Sequence, residues 1–170
     1  MTSTRLQSQT KYPAITIRPI RPTDAGMEAE FVKRLSSRTK HFRFLGALKE
    51  LTPEMLKSFC DVDHYHSMAF VATVSQDGEE IVIGVSRYAP NTGEDVREMA
   101  VTVAHDWQHH RIGTLLTEKL IEFARDHGVN RLYSVDFVDN SSMRHLANEI
   151  GMSTQRDPGD ARQVIYSLKL

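Results

Sequence analysis

Apolar side chains change their spacing several times along the chain, and each change marks an element. Residues 15–20, with Ile15, Ile17 and Ile20, read as a short strand. A helix follows, capped by Thr23 or Asp24 and running to about Leu35, with Phe31, Val32 and Leu35 turned inward. Residues 36–45 suit a second short helix. Thr52, Pro53 and Glu54 open a third, which ends near Phe59, with a capping hydroxyl, a proline in the first turn and an early acid. Strands at 68–74 and 81–88 are joined by the hairpin signal Gln76-Asp77-Gly78-Glu79. Pro90-Asn91-Thr92-Gly93 makes another turn before a strand at 96–103. Alternating Val101 and Val103 then give way, past His105 and Asp106, to the helical spacing of Ile112, Leu115, Leu116, Leu120, Phe123 and Ala124. Gly128 suits a C-terminal cap, residues 131–138 a strand, and residues 141–151 a helix closed by Gly151. Two short strands, near Thr154 and at 164–168, complete the pattern.

Strands that first meander and then alternate with helices predict an α/β fold with a mixed sheet covered by helices on both faces. The 170 residues contain no repeat and no inter-domain linker. One domain is therefore expected at 14–170, after a polar tail at 1–13 rich in Ser, Thr and Gln.

Composition removes several classes of function. Lys and Arg number 21 against 22 Asp and Glu, a balance that argues against a general nucleic-acid binder. No apolar run is long enough to span a bilayer, and the first residues lack the apolar block of a signal peptide, so no membrane partner is expected. Cys60 is the single cysteine, which fits a reducing cytoplasm and reads as a small buried hydrophobe. His64 with His66, and His109 with His110, form neither a helical His-Glu-x-x-His nor a Cys/His cluster, so no metal is expected. In the first third, Arg18, Arg21, Lys33, Arg34, Arg38, Lys40 and Arg43 outnumber Asp24, Glu28 and Glu30. A solvated helix face accounts for this. Its functional counterpart is a patch for an acidic partner or for a cofactor's far phosphate.

The chemistry concentrates where the strand at 96–103 turns into the next helix. The turn carries Gln108, His109, His110 and Arg111, and Gly113 lies just inside the helix. A helix start has unpaired N–H groups and a partial positive charge, and so can hold a phosphate, to which Arg111 and the histidines would add charge-assisted contacts. Neither a Walker Gly-x-x-x-x-Gly-Lys run nor a Gly-x-Gly-x-x-Gly fingerprint is present. What remains, Gln108-x-x-Arg111-x-Gly113-Thr114, resembles the acyl-CoA-binding motif of the GNAT superfamily of N-acyltransferases, Gln/Arg-x-x-Gly-x-Gly/Ala, with Arg111 in place of its first glycine. Asn140, Met143, Leu146, Gly151 and Met152 are similar to the family's later Asn…Leu…Gly-Phe segment, and residues 15–24 to its first strand and helix start. The likeness spans roughly residues 15–170 and is most specific at 98–152. Within the superfamily the chain looks closest to bacterial protein-lysine acetyltransferases, through Arg18-Pro19-Ile20-Arg21-Pro22, Phe42-Arg43-Phe44-Leu45-Gly46, and Asp61-Val62-Asp63 leading into residues 68–72.

This resemblance implies a single GNAT-like domain with a mostly antiparallel sheet, acetyl-CoA as donor, no metal, and a primary amine as acceptor. A protein lysine is the first acceptor and a small amine or polyamine the second. It implies that Gln108, His109, His110, Arg111, Ile112, Gly113 and Thr114 hold the diphosphate, that the strand edge at Val101 and Val103 pairs with the amide-rich pantetheine arm, and that Asn140 and Arg144 complete the cofactor site. Glu98 matches the family's general-base glutamate. An amine of pKa roughly 10.4 arrives charged, so it needs such a proton acceptor. Main-chain N–H groups at 99–103 would meet the oxyanion if this strand splays from its neighbour. Ala147 stands where many members have a tyrosine acid, leaving Tyr133, Tyr65 or water for the thiolate. The rival is a non-catalytic acyl-CoA-sensing module. Homodimer or monomer is left open.

Overall fold

In the computed structural model, residues 13–46, 48, 50–90 and 95–170 are described; the expected tail up to residue 12 and the turn at Asn91, Thr92 and Gly93 lie outside them. The strands are β1 (Thr16–Pro19), β2 (Met68–Gln76), β3 (Glu79–Pro90), β4 (Val96–Val103), β5 (Arg131–Phe137), β6 (Ser153–Arg156) and β7 (Gln163–Lys169). The helices are α1 (Ala25–Arg34), α2 (Ser37–Phe44), α3 (Pro53–Cys60), α4 (Ile112–Asp126) and α5 (Ser141–Ile150). One sheet of order β1-β2-β3-β4-β5-β7-β6 contains them all, antiparallel at every step except β4 to β5.

Strand β2 shows why the sheet is covered on both sides. Its alternating side chains divide the core: Met68, Phe70, Ala72 and Val74 pack with Leu116 and Leu120 of α4 and with Met143 and Ala147 of α5. Ala69 and Val71 pack instead with Phe31 and Val32 of α1 and Cys60 of α3. A strand buried on both faces is apolar nearly throughout, Thr73 being the polar exception, which is why residues 68–74 show no alternation. Each large side chain fully withdrawn from water, such as Leu116 or Leu120, contributes about 1.5–3 kcal/mol.

The helix starts follow their local chemistry. The Ser36 hydroxyl accepts from Thr39 N (3.1 Å), Thr52 Oγ1 from Met55 N (3.3 Å) and Asn140 Oδ1 from Met143 N (3.2 Å). The first helix differs from expectation. A 3-10 turn, Pro22–Asp24, precedes α1, and the Asp24 side chain makes no cap bond to α1 but turns back to the start of that turn. Arg18 instead donates to both Asp24 oxygens (2.7 and 3.0 Å), and Arg21 N donates to Oδ2 (2.8 Å). Two charge-assisted bonds outcompete one cap. At the sheet centre, a bulge in β3 and the absence of a side chain at Gly84 let α4 press onto the strands: a Cβ there would lie 2.9 Å from Leu116 Cδ1. Among the described residues no helix is long and apolar enough to cross a membrane.

Candidate active site

Pairing between β4 and β5 stops early. The two strands are in register only at Val96–Arg131, Arg97–Leu132 and Glu98–Tyr133. Beyond Glu98, β4 stays with β3 as far as Val103, while β5 stays with β7 as far as Phe137. The strands therefore part, and among the described residues no strand lies opposite the inner edge of residues 99–103. The gap opens into a cavity of about 460 Å³ walled by β4, β5, the turn before α4, the inner side of α5 and one side of α2.

The turn is built from its own main chain. A 3-10 turn, His105–Trp107, redirects the chain after β4. Gln108 Nε2 donates to Val103 O (3.1 Å), and His110 Nδ1 donates to Gln108 O (2.7 Å). His109 and Arg111 both adopt positive φ, 64° and 61°, and such alternation turns successive N–H groups toward one concavity. Among the described residues no side chain caps the start of α4. Gly113 sits flat against β4, where a Cβ would lie 3.7 Å from a methyl of Val101 and of Val103. Across the mouth, the Glu149 carboxylate of α5 accepts from Thr114 Oγ1 (2.9 Å) and faces Arg111 Nη2 (3.4 Å).

Residues 33–152 match the model of the Acetyltransferase (GNAT) family. The chain belongs to that family. An acetyltransferase of Pseudomonas aeruginosa is 46% identical over 156 residues, covering 92% of this chain and 84% of that protein. The fold is shared with the GNAT domain of S. lividans PAT (TM-score 0.81, 23% identity, 91% and 89% of the two chains). It is also shared with yncA of Salmonella typhimurium, solved with acetyl-CoA (TM-score 0.74, 18% identity, 92% and 94% covered).

Most of the residues singled out in this acetyltransferase's sequence converge. Glu98, Val101, Val103, Gln108, His109, Arg111, Ile112, Gly113, Thr114 and Asn140 all line the one cavity. His110 and Arg144 do not. His110 folds back onto the turn, and Arg144, exposed, has its Nη1 3.4 Å from Val138 O. The Asn140 side chain is already engaged within the chain, for its Oδ1 caps α5 and its Nδ2 donates to Asp136 Oδ2 (3.0 Å).

Glu98 is solvent-exposed at the apex of the parting strands, and Arg97 is buried on the opposite face. Tyr133 Oη donates toward Glu98 Oε2 at 3.5 Å. Tyr65 sits elsewhere, on the loop before β2, with its ring edge-on to His66 and His127. Ala147 is fully buried in the core beneath α5. Among the described residues no group of three or more His, Cys, Asp or Glu side chains is placed to hold a metal.

Three charged residues of this acetyltransferase's cleft were not legible as such. Asp136 on β5 is buried, accepts from Phe137 N (2.7 Å) and from Asn140, and burial pushes its carboxyl up to about 6. Arg43 reaches the cleft from α2, and Glu149 from α5. Asp136 carried a usable signal, an acid at an inward position of a strand. Nothing in the spacing of Arg43 sets it apart from the other cations of α2.

Proposed function

We propose that this acetyltransferase transfers an acetyl group from acetyl-CoA to a primary amine by direct attack, with Glu98 as general base and a protein lysine as the first acceptor class. The observation that carries the reading is the position of Glu98, the last residue of β4 paired with β5, where the strand edge becomes bare. A carboxylate there can take the amine's proton directly or through a water. Main-chain N–H groups of residues 99–103 lie on the same strand for the charge that develops on the carbonyl oxygen.

The cleft fits a CoA thioester on three counts: an uncapped helix start, a turn with two positive-φ residues and a glycine flat against β4. Bound acetyl-CoA would supply a thioester carbonyl to the amine. Gln108, His109, Arg111, Ile112, Gly113 and Thr114 would hold its diphosphate, with His110 shaping the turn behind them. The edge at Val101 and Val103 would pair with the pantetheine amides. Asn140, steadied by Asp136, would border that arm, and Arg144 would brace the start of α5. The contact between Tyr133 and Glu98 favours Tyr133 over Tyr65 as the proton donor to the leaving thiolate. A cytoplasmic setting belongs to the same reading: Cys60, the single cysteine, is buried, and burial pushes its thiol up to about 11.

Thiol release measured against a panel of amines and lysine-bearing proteins tests this. Glu98→Gln is expected to slow transfer by about 10²-fold or more with little change in CoA affinity. Full rate in that variant at every pH would remove the base assignment. Tight CoA binding with no thiol release for any acceptor would point to an acyl-CoA-sensing module instead.

A further inference from the structure

One wall of the cleft, formed by helix α2, carries two arginines, Arg38 and Arg43. Helix α2 carries Arg38, Lys40, His41 and Arg43 and no acid, and none of its residues is fully buried. It leans on β5 through His41, which stacks on Phe137 with ring centres 4.7 Å apart. Arg38 lies over the Phe42 ring (5.0 Å).

Arg43 is the unusual member. Its guanidinium lies over the rings of Phe44 (4.9 Å) and Phe59 (5.6 Å), and it lines both the cleft and a small hollow behind it. Among the described residues it makes no hydrogen bond and no ion pair.

The hollow explains why that guanidinium has no carboxylate in direct contact. Glu28 is buried there, with Oε1 accepting from Arg87 Nη2 (2.8 Å) and Oε2 without a partner among the described residues. Arg87 Nη1 donates to Phe59 O (3.0 Å). Arg87 thus takes the Glu28 carboxylate directly, among Phe31, Val32, Leu35 and Val85, and leaves Arg43 to feel Glu28 and Glu98 from a distance. Burial and the nearby Arg87 pull Arg43 down to about 10, which leaves it cationic at neutral pH. Glu28 and Glu98 act on Arg43 only through space, and a partly buried guanidinium at a cleft wall without a hydrogen-bonded partner is a ready fork for an anion.

The side on which Arg43 stands identifies whose anion it is. Side chains alternate along β4, so Val101 and Val103 meet Gly113 at the start of α4, while Glu98, Ala100 and Thr102 face the other way. Thr102 lines the hollow together with Arg43. Arg43 is thus on the Glu98 face of the sheet, away from the helix start proposed for the diphosphate.

We propose that Arg43 recognises a carboxylate carried by the acceptor, so that the substrate is an amine with a carboxylate close by in the same molecule. This rests on the acetyltransferase reading given above and narrows its acceptor. Two sources share the chemistry, an amino-acid-like compound and a lysine flanked by acidic side chains. A fixed positive charge near Glu98 also disfavours a protonated amine, which helps the neutral, reactive form to enter.

Matched acceptor pairs that differ only in carboxylate against carboxamide give the test: an amino acid and its amide, and a lysine peptide flanked by glutamates and its glutamine counterpart. Thiol release should show kcat/KM at least tenfold higher for the carboxylate member of one pair, and that pair names the source. Arg43→Met should erase the preference mainly through KM, Arg43→Lys should keep part of it, and CoA affinity should be unchanged in both. Equal rates within both pairs in the wild-type enzyme, or a preference that survives Arg43→Met, overturns the proposal. If no acceptor releases thiol, the acetyltransferase reading has failed separately, and calorimetric titration of the carboxylate and carboxamide peptides decides the anion site: equal affinities overturn it. The wild-type comparison stands even if Arg43→Met does not fold.

Discussion

Arg111 holds a backbone conformation that side chains avoid, φ 61° and ψ 10°, at the position where the family motif has glycine. For an L-residue the left-handed region costs about 1–2 kcal/mol. Its pair with Glu149 is exposed and returns less than that. Arg111→Ala should therefore keep the strain and lose the pair, whereas Arg111→Gly should relieve the strain. Urea unfolding is expected to find the glycine variant more stable than the alanine variant by about 1 kcal/mol. Equal stabilities would mean that the turn relaxes out of this conformation. With the proposed diphosphate cradle, both variants should also bind CoA more weakly at low salt. The sequence displayed the departure from glycine, but not that the chain retains the glycine conformation in spite of it. Glu98 was legible through its place at the start of a strand leading into the motif. Arg43 was not, because its distinction lies in what Glu28 and Arg87 leave unpaired, and neither is near it in sequence.

At the scale of elements, the periodicities located every strand and helix among the described residues, since long apolar stripes and caps are local properties. The ends shifted where a partner intervened, as at Asp24. The close approach of α4 to the sheet was hidden, because it depends on Gly84 meeting Leu116 and Ile112 across the fold. Ser86 Oγ fixes the same contact by donating to Leu116 O (2.9 Å). Gly84→Ala would place a Cβ 2.9 Å from Leu116 Cδ1 and 3.3 Å from both Ile112 Cγ2 and Thr102 O. The strand carbonyl cannot yield, so the buried Leu116 and Ile112 side chains must shift against the packing of α4. A loss of about 1–3 kcal/mol in unfolding free energy is expected. CoA affinity should fall with it, because Ile112 opens the helix that borders the cleft. A variant as stable as the wild type would show that α4 is not seated on this glycine. The cleft itself was equally invisible in one dimension, because it exists only where the pairing of residues 96–98 with 131–133 ends.

For the molecule as a whole, buried carboxyls set the response to pH. Asp136 is raised to about 6 by burial, from an ordinary value of 3.8. Between about pH 4 and 6 the folded chain therefore keeps a proton that the unfolded chain has released, and stability falls as pH rises through that window. Burial raises Glu28 as well, in the same direction. Asp24 has the opposite sign: burial opposes its ionisation, but the Arg18 hydrogen bonds win and hold it below 3.8, so its contribution is lost as pH falls through that lower value. Greatest stability is thus expected on the acid side of neutrality. Asp136→Asn should flatten the decline between pH 4 and 6 and raise stability at pH 7 by about 1–2 kcal/mol. That is less than the whole shift implies, since an amide oxygen cannot replace both acceptors. Denaturant midpoints measured across this range check it, and a variant that keeps the wild-type slope would place the titration elsewhere.

Seen mechanically, the sheet is two leaves fastened by a short seam: three paired positions, reinforced where Asn130 N and Arg131 N donate to Asp95 O. Beyond the seam no main-chain rung joins the leaves among the described residues, so the gap can widen without breaking a rung of either leaf. A long molecule stitched along the bare edge of β4, as proposed for the pantetheine arm, would continue the seam, and the rigidity of the whole would then belong to the complex rather than to the protein.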